Sequence, residues 1–376
     1  MPRLLLLFTF MNLVVGTGAF VIGGTLEPLA QALGVSVAAA GQAMTAYALS
    51  TAVLAPLALL ATGRWSRRSA LVTALTLFTA GSALCAWAPS LGWLLLGRVL
   101  MGIGAFCTPV AAGIAVALVP RERQGQALAR VFLGISLSYV VGVPLGAWLG
   151  YTHGGAMPLA VATGLSALAG LVVALGVPRH LETPGASFTG LGSLLRKPEV
   201  LRVLGLTLLY FTAIFSVFSY IGPVLRALVP LTPVQLSLTL AAFGLSGVAG
   251  TLMGGWANDR FGALRSLRVQ LSVLGLTMAV LPLTAGQPLA MVGTLLVWGL
   301  AGFGMVAPQQ SRLAGIAPSQ AAVLLSLNAS MLYAGTAVGA VLGGAATATL
   351  GLQRLAWIGV PLALVGLLLL RSPRRR

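Results

Sequence analysis

Charge is scarce in this sequence: only 7% of its 376 residues are Asp, Glu, Lys or Arg, against about 25% in an ordinary soluble domain. A water-soluble globular chain is excluded on that ground. Acidic residues number five and histidines two, too few and too scattered for a clustered metal centre, and neither metal nor cofactor is expected. Cys85 and Cys107 both fall inside apolar runs; they form no disulfide framework and lack the paired spacing of a zinc site. Lysine is nearly missing, with Lys197 standing against twenty-one arginines.

What fills the chain instead is apolar. Hydrophobic residues make up 58% and the mean hydropathy is +1.00, which rules out disorder, while 48 Gly and 20 Pro are tolerable where neighbouring membrane helices satisfy the interrupted backbone. A membrane-crossing helix needs about 20 apolar residues. The run Leu4 to Leu26 is longer than a signal-peptide core and reads as a retained first helix. Further runs follow at 38–60, 70–88, 91–118, 130–150, 157–177, 201–225, 234–256, 267–285, 289–310, 320–346 and 352–370. The expected fold is an all-α membrane protein of twelve spans.

An even number of spans puts both termini on one side. Nineteen of the 22 basic residues fall on that side, Arg226 and Arg354 lie opposite, and Arg98 sits within span 4. By the positive-inside rule the shared side is the cytoplasm, and the compact loops point to a bacterial inner membrane. Topology thus accounts for the net charge of +17, and no nucleic-acid partner is expected. The longest polar stretch, Pro178 to Val200, divides the chain into an N-terminal bundle over 1–177, a linker over 178–200 and a C-terminal bundle over 201–376. The halves look related, since Gly142, Gly146 and Gly150 recur as Gly335, Gly339 and Gly343 at a constant offset. At this period the glycines share one helix face and admit another backbone closely.

Other chemistry finds little support. Gly244-Leu245-Ser246-Gly247 is similar to the nucleophile motif of rhomboid proteases, but that reaction needs a histidine on another span, and His153 and His180 both read as loop residues. There is no HExxH pair and no GxxxxGK[ST] loop. An enzyme is therefore not expected. A channel or a scaffold would leave two similar halves unexplained.

The loop motifs carry a resemblance to the major facilitator superfamily. Its loop signature, Gly-x-x-x-Asp-Arg-x-Gly-x-(Arg/Lys)-(Arg/Lys), is matched after span 8 by Gly255, Asp259, Arg260 and Gly262, with Arg265 following. After span 2, Arg64, Arg67 and Arg68 match, whereas Leu59, Gly63 and Ser66 stand where Gly, Asp and Gly are usual. In span 5, Gly142-Val143-Pro144-Leu145-Gly146 resembles the motif of the twelve-helix sugar and drug efflux branch. The resemblance implies two pseudo-symmetric six-helix bundles and a secondary carrier, with proton-coupled efflux of drugs, sugars or metabolites expected and an uptake symporter or uniporter as the alternative. It implies gating roles for Arg64, Arg67, Arg68, Gly142, Pro144, Gly146, Asp259 and Arg260, and the repeated glycine face extends that expectation to Gly339 and Gly343.

Substrate contacts are expected from polar side chains within the spans: Asn12, Gln42, Tyr47, Arg98, Tyr139, Tyr210, Gln309 with Gln310, Asn328 and Tyr333. Arg98 at such depth requires a partner or water, or else snorkels to the outer interface. With so little charge, the solute is expected to be small and neutral or amphiphilic. Glu27 is the one acid outside the cytoplasmic segments and, by elimination, the candidate for proton coupling. Partners beyond solute, proton and bilayer are not expected; a monomer is favoured, and the sequence leaves the oligomeric state open.

Overall fold

The computed structural model describes residues 2–120, 123–178 and 191–370. Residues 179–190 of the expected linker, with His180, lie outside the described residues, as do Arg121, Glu122 and the 371–376 tail. Among the described residues every regular element is helical: α1 (Pro2–Leu33), α2 (Val37–Ala61), α3 (Arg67–Ala86), α4 (Leu91–Ala117), α5 (Gln124–His153), α6 (Met157–Gly176), α7 (Pro198–Phe218), α8 (Pro233–Phe261), α9 (Ala263–Thr284) and α10 (Pro288–Ile316). The last apolar segment, Val323–Leu369, is divided at Gly351, whose φ of 71° breaks the helix. This gives α11 (321–350) and α12 (352–369).

Local chemistry sets the ends. Ser36 and Ser66 accept the Ala39 and Ser69 amides to cap α2 and α3, and Thr232 with Gln235 forms a capping box on α8. Proline opens α6, α7, α8 and α10, where its missing amide costs nothing. Several helices run past the bounds read from sequence, α1 to Leu33, α8 to Phe261 and α10 to Ile316, and α7 differs at both ends. The first turn of α7 lies inside the stretch read as linker, because Pro198 and Glu199 suit a helix start. That helix also stops at Phe218 rather than running to 225: Pro223 cannot accommodate the carbonyl four residues earlier, and a new segment, Ile221–Leu228, begins beyond the break. His153 closes α5 instead of lying in a loop.

The chain divides into two compact units, Met1–Ser187 and Phe188–Arg376. Within the first, α1 packs on α5, α2 on α4, and α3 on α4 and α6. Within the second, α7 packs on α11, α8 on α10, and α9 on α10 and α12. The pairing scheme repeats element for element. A short helix, Leu191–Leu195, belongs to the second unit, burying Leu194 among Val200, Val203, Leu204, Leu313 and Leu324.

Large apolar side chains cover the outside: Leu175, Leu252 and Leu289 are each more than 70% exposed. Such a surface would aggregate in water and is neutral in hydrocarbon. Six of the seven tryptophans sit exposed near helix ends, as expected where amphipathic rings meet lipid headgroups, while Trp298 alone is buried.

Candidate functional site

Arg98 on α4 is fully buried and does not snorkel. Its Nε donates to the Ala43 carbonyl at 3.1 Å, Nη1 to Gly18 at 2.7 Å and Nη2 to Ala19 at 2.6 Å, while the guanidinium lies 4.6 Å from the centre of the Tyr47 ring. One cation therefore ties α4 to α1 and α2. Glycine makes this approach possible: a Cβ at Gly18 would meet Phe78 and Met101 at 2.9–3.1 Å. Charge-assisted bonds to carbonyls, with an aromatic face, take the place of a carboxylate partner.

Two buried polar nodes occupy corresponding places in the two units. In the first, Thr108 on α4 donates to Asn12 Oδ1 on α1 at 2.6 Å, and Asn12 Nδ2 donates to the Val131 carbonyl of α5 at 3.0 Å. In the second, Thr207 on α7 donates to Asn328 Oδ1 on α11 at 2.6 Å and accepts from Gln309 Nε2 on α10 at 2.9 Å, which also donates to the Val203 carbonyl. Both α4 and α10 break their regular helix just before these contacts, at Ala105–Phe106 and Met305. The nodes differ in one respect. Every buried polar side-chain atom of the first is paired, whereas Gln309 Oε1 has no partner.

The glycine faces also repeat. Cβ atoms at Gly142, Gly146 and Gly150 would strike Thr17, Val21 and Thr25 of α1, and at Gly335, Gly339 and Gly343 they would strike Leu208, Thr212 and Ser216 of α7, with Tyr220 just beyond it. Each row thus seats the fifth helix of a unit on the first helix of the same unit. Pro144 is buried and follows a π-helical turn at Ser138–Gly142, in which the Val143 amide reaches back to Ser138. The wider turn lies immediately before the proline, where the regular hydrogen-bond ladder is already interrupted. The second unit has Ala337 at this register and no such turn.

The remaining predicted residues are dispersed. Gln42 bonds only locally, to Ala38 and Thr45; Tyr139 stacks on Phe20 at 4.9 Å. Tyr210 is buried against Phe211 and begins an aromatic run through Phe215, Phe218, Phe243 and Trp298. Gln310 is exposed and Tyr333 half-buried. Glu27 is half-buried and accepts from Tyr151 Oη at 3.0 Å. It stands nine residues, about 13 Å of helix, beyond Gly18, so Arg98 and Glu27 are not brought together. Arg67 is buried at the start of α3; Arg64, Asp259 and Arg260 are exposed, and Asp259 accepts from Asn258 at 3.1 Å. Arg68 lines an open groove of about 560 Å³ with Ser66, Ser69, Val72, Thr73 and Ala174. Ser246 bonds the Phe243 carbonyl and packs on Gly299, as a small packing residue.

Thr108, Thr207 and Tyr151 were not singled out by sequence. For Thr207 a signal existed: it stands 195 positions after Asn12, close to the 193 that separates the glycine rows.

Residues 8–323 match the family model of the Major Facilitator Superfamily. The inner membrane transport protein YdhP of Escherichia coli is 32% identical over 96% of this chain and 93% of its own length. A probable sugar efflux transporter of Haemophilus influenzae is 25% identical over 95% and 90%. Among solved structures, a bacterial homologue of the human lysosomal transporter Spinster, inward-facing and occupied, superposes with a TM-score of 0.80 at 17% identity, covering 98% of this chain and 94% of that one.

Proposed function

The chain belongs to the major facilitator superfamily, and on that premise we propose that it is a secondary active carrier that exports a small neutral or amphiphilic solute by alternating access in exchange for protons. The observation that supports efflux is the similarity, over nearly the whole chain, to a relative named as a sugar efflux transporter. A neutral cargo follows from the interior: Arg98, the cation buried deep within α4, already has three carbonyls and an aromatic face.

In this reading both termini are cytoplasmic, following the nineteen-to-two distribution of basic residues. Glu27 is the proton-carrying group. A carboxyl at the outer end of α1 can accept and release a proton, which an arginine cannot, and its bond to Tyr151 links that event to α5. Arg64, Arg67, Arg68, Asp259 and Arg260 act at the cytoplasmic ends of their helices, and Arg260, in the last turn of α8, answers that helix's dipole.

The test is accumulation of labelled solutes by everted membrane vesicles under an imposed pH gradient. Uptake that collapses with the gradient supports proton-coupled export. Saturable exchange indifferent to the gradient removes the coupling, and non-saturable flux removes the carrier.

A further inference from the structure

Among the described residues, buried side-chain polar atoms without a partner number four, all in the second unit: Ser219 Oγ, Asn258 Oδ1, Gln270 Oε1 and Gln309 Oε1. A buried acceptor left unpaired costs about as much as a hydrogen bond is worth, or more. Gln309 differs from the other three because the first unit supplies its comparison. There the corresponding node closes completely on Thr108, Asn12 and Val131.

Gln309 cannot relieve the deficit by turning its amide. Its Nε2 already serves two acceptors, the Val203 carbonyl and Thr207 Oγ1; exchanging the amide ends would aim an acceptor at the carbonyl. Asn328 hangs on the same Thr207 hydroxyl through Oδ1. Its Nδ2 makes no hydrogen bond among the described residues, and the side chain is 5% exposed. One hydroxyl therefore holds two amides side by side, one with an open acceptor and the other with an open donor. No formally charged side chain takes part in this network.

We infer that the Thr207–Gln309–Asn328 node of the second unit is a recognition point for a hydroxyl group of a neutral polyhydroxylated solute, received as donor by Gln309 Oε1 and as acceptor by Asn328 Nδ2. A hydroxyl satisfies both open positions at once. An ammonium offers only donors and a carboxylate only acceptors. The inference rests on the alternating-access reading above, because the node is covered in this structure and must be uncovered in another access state. The first-unit node, with nothing left to pair, is a structural pin.

The experiment uses the purified full chain in lipid nanodiscs, with methyl β-D-glucopyranoside, methyl β-D-galactopyranoside, xylose, arabinose and mannitol as hydroxylated probes. Tetraphenylphosphonium serves as a lipophilic probe without hydroxyls. Binding is read as a shift of the unfolding midpoint, and flux is measured separately in proteoliposomes. At least one hydroxylated probe should bind, and among its monodeoxy derivatives one should bind about tenfold more weakly, the loss of one buried hydrogen bond. Gln309→Met should bind that derivative and its parent equally. Thr108→Val should lower the midpoint of the free protein while leaving probe affinity unchanged.

The deoxy series on the unaltered protein needs no variant, so misfolding of Gln309→Met leaves the test intact. Equal binding by every monodeoxy derivative overturns the inference and points to a trapped water at Gln309. Binding of tetraphenylphosphonium alone, with saturable flux, overturns it and leaves the carrier. Absence of both binding and saturable flux overturns the carrier reading as well.

Discussion

Replacing single glycines by alanine provides a series in which the sign of the effect follows from the space at each position. At Gly113 and Gly164 nothing lies within 4 Å of an added Cβ, so the variant gains only helix propensity, up to about 1 kcal/mol. At Gly339 the added atom would stand 2.7 Å from the Thr212 carbonyl oxygen, 2.9 Å from the Ser216 amide nitrogen and 3.0 Å from the Phe215 carbonyl carbon. All three are backbone atoms and cannot rotate aside. Since ordinary carbon–oxygen contact begins near 3.3 Å, α11 must retreat from α7 by about 0.6 Å. Overpacking costs about 1–3 kcal/mol, and the upper part of that range, about 2–3, applies where every atom struck is backbone; less a propensity gain of about 1 kcal/mol, Gly339→Ala should lose about 1–2 kcal/mol. Gly150→Ala should fall between, because its close neighbours are side-chain atoms of Thr25 at 2.8 and 3.0 Å. For a unit of this size 1 kcal/mol corresponds to about 2–4 °C. The unfolding midpoint in mild detergent should therefore drop by roughly 2–8 °C for Gly339→Ala and rise slightly for Gly113→Ala. If Gly339→Ala kept the parent midpoint and lost only transport, the glycine row would be an access-state contact and the static packing argument would be wrong.

Arg98→Ala should lower the midpoint markedly, since three charge-assisted bonds of about 1.5–3 kcal/mol each disappear, with Michaelis constants for transported solutes unchanged in whatever protein folds; an unchanged midpoint with weakened solute affinity would return Arg98 to the substrate site. Glu27→Gln should abolish solute accumulation driven by a pH gradient while preserving solute exchange, measured in the same proteoliposomes; normal gradient-driven accumulation excludes Glu27 as the coupling group. In a background lacking Cys85 and Cys107, Gln287→Cys should react in intact cells with an impermeant thiol reagent and Ser187→Cys should not; the reverse pattern inverts the topology.

The twelve spans were legible because about 20 apolar residues in sequence have few other fates, and the repeat was legible because its glycines are where two backbones cross. Helix breaks were less so. Pro223 signals one, yet the retreat to Phe218 depends on which carbonyl the proline ring meets. The partners of Arg98 were not readable: three carbonyl acceptors on α1 and α2 have no side-chain signature. Polar residues within spans were visible individually. Their division into a closed node and an open one depends on single atoms, such as Gln309 Oε1, that only the crossing of α7, α10 and α11 brings into relation.

The two units use one architecture with unequal polar closure, and the first node is where the structural contribution can be measured cleanly. Thr108→Val keeps the shape of the side chain and removes its hydroxyl, leaving Asn12 Oδ1 buried without the donor it has at 2.6 Å. Asn12 is itself fully buried, so water cannot substitute without opening α4 from α1. The expected loss is about 1–3 kcal/mol. Asn12→Leu also removes the bond to the Val131 carbonyl, but that oxygen retains its second lone pair for the α5 ladder. Combining the two substitutions takes away donor and acceptor together, so the double variant should be more stable than the sum of the single losses predicts. Unfolding midpoints of the parent, both single variants and the double variant complete the cycle. Strict additivity would mean that Thr108 and Asn12 do not stabilise one another, and the first node would then be no pin between α4 and α1.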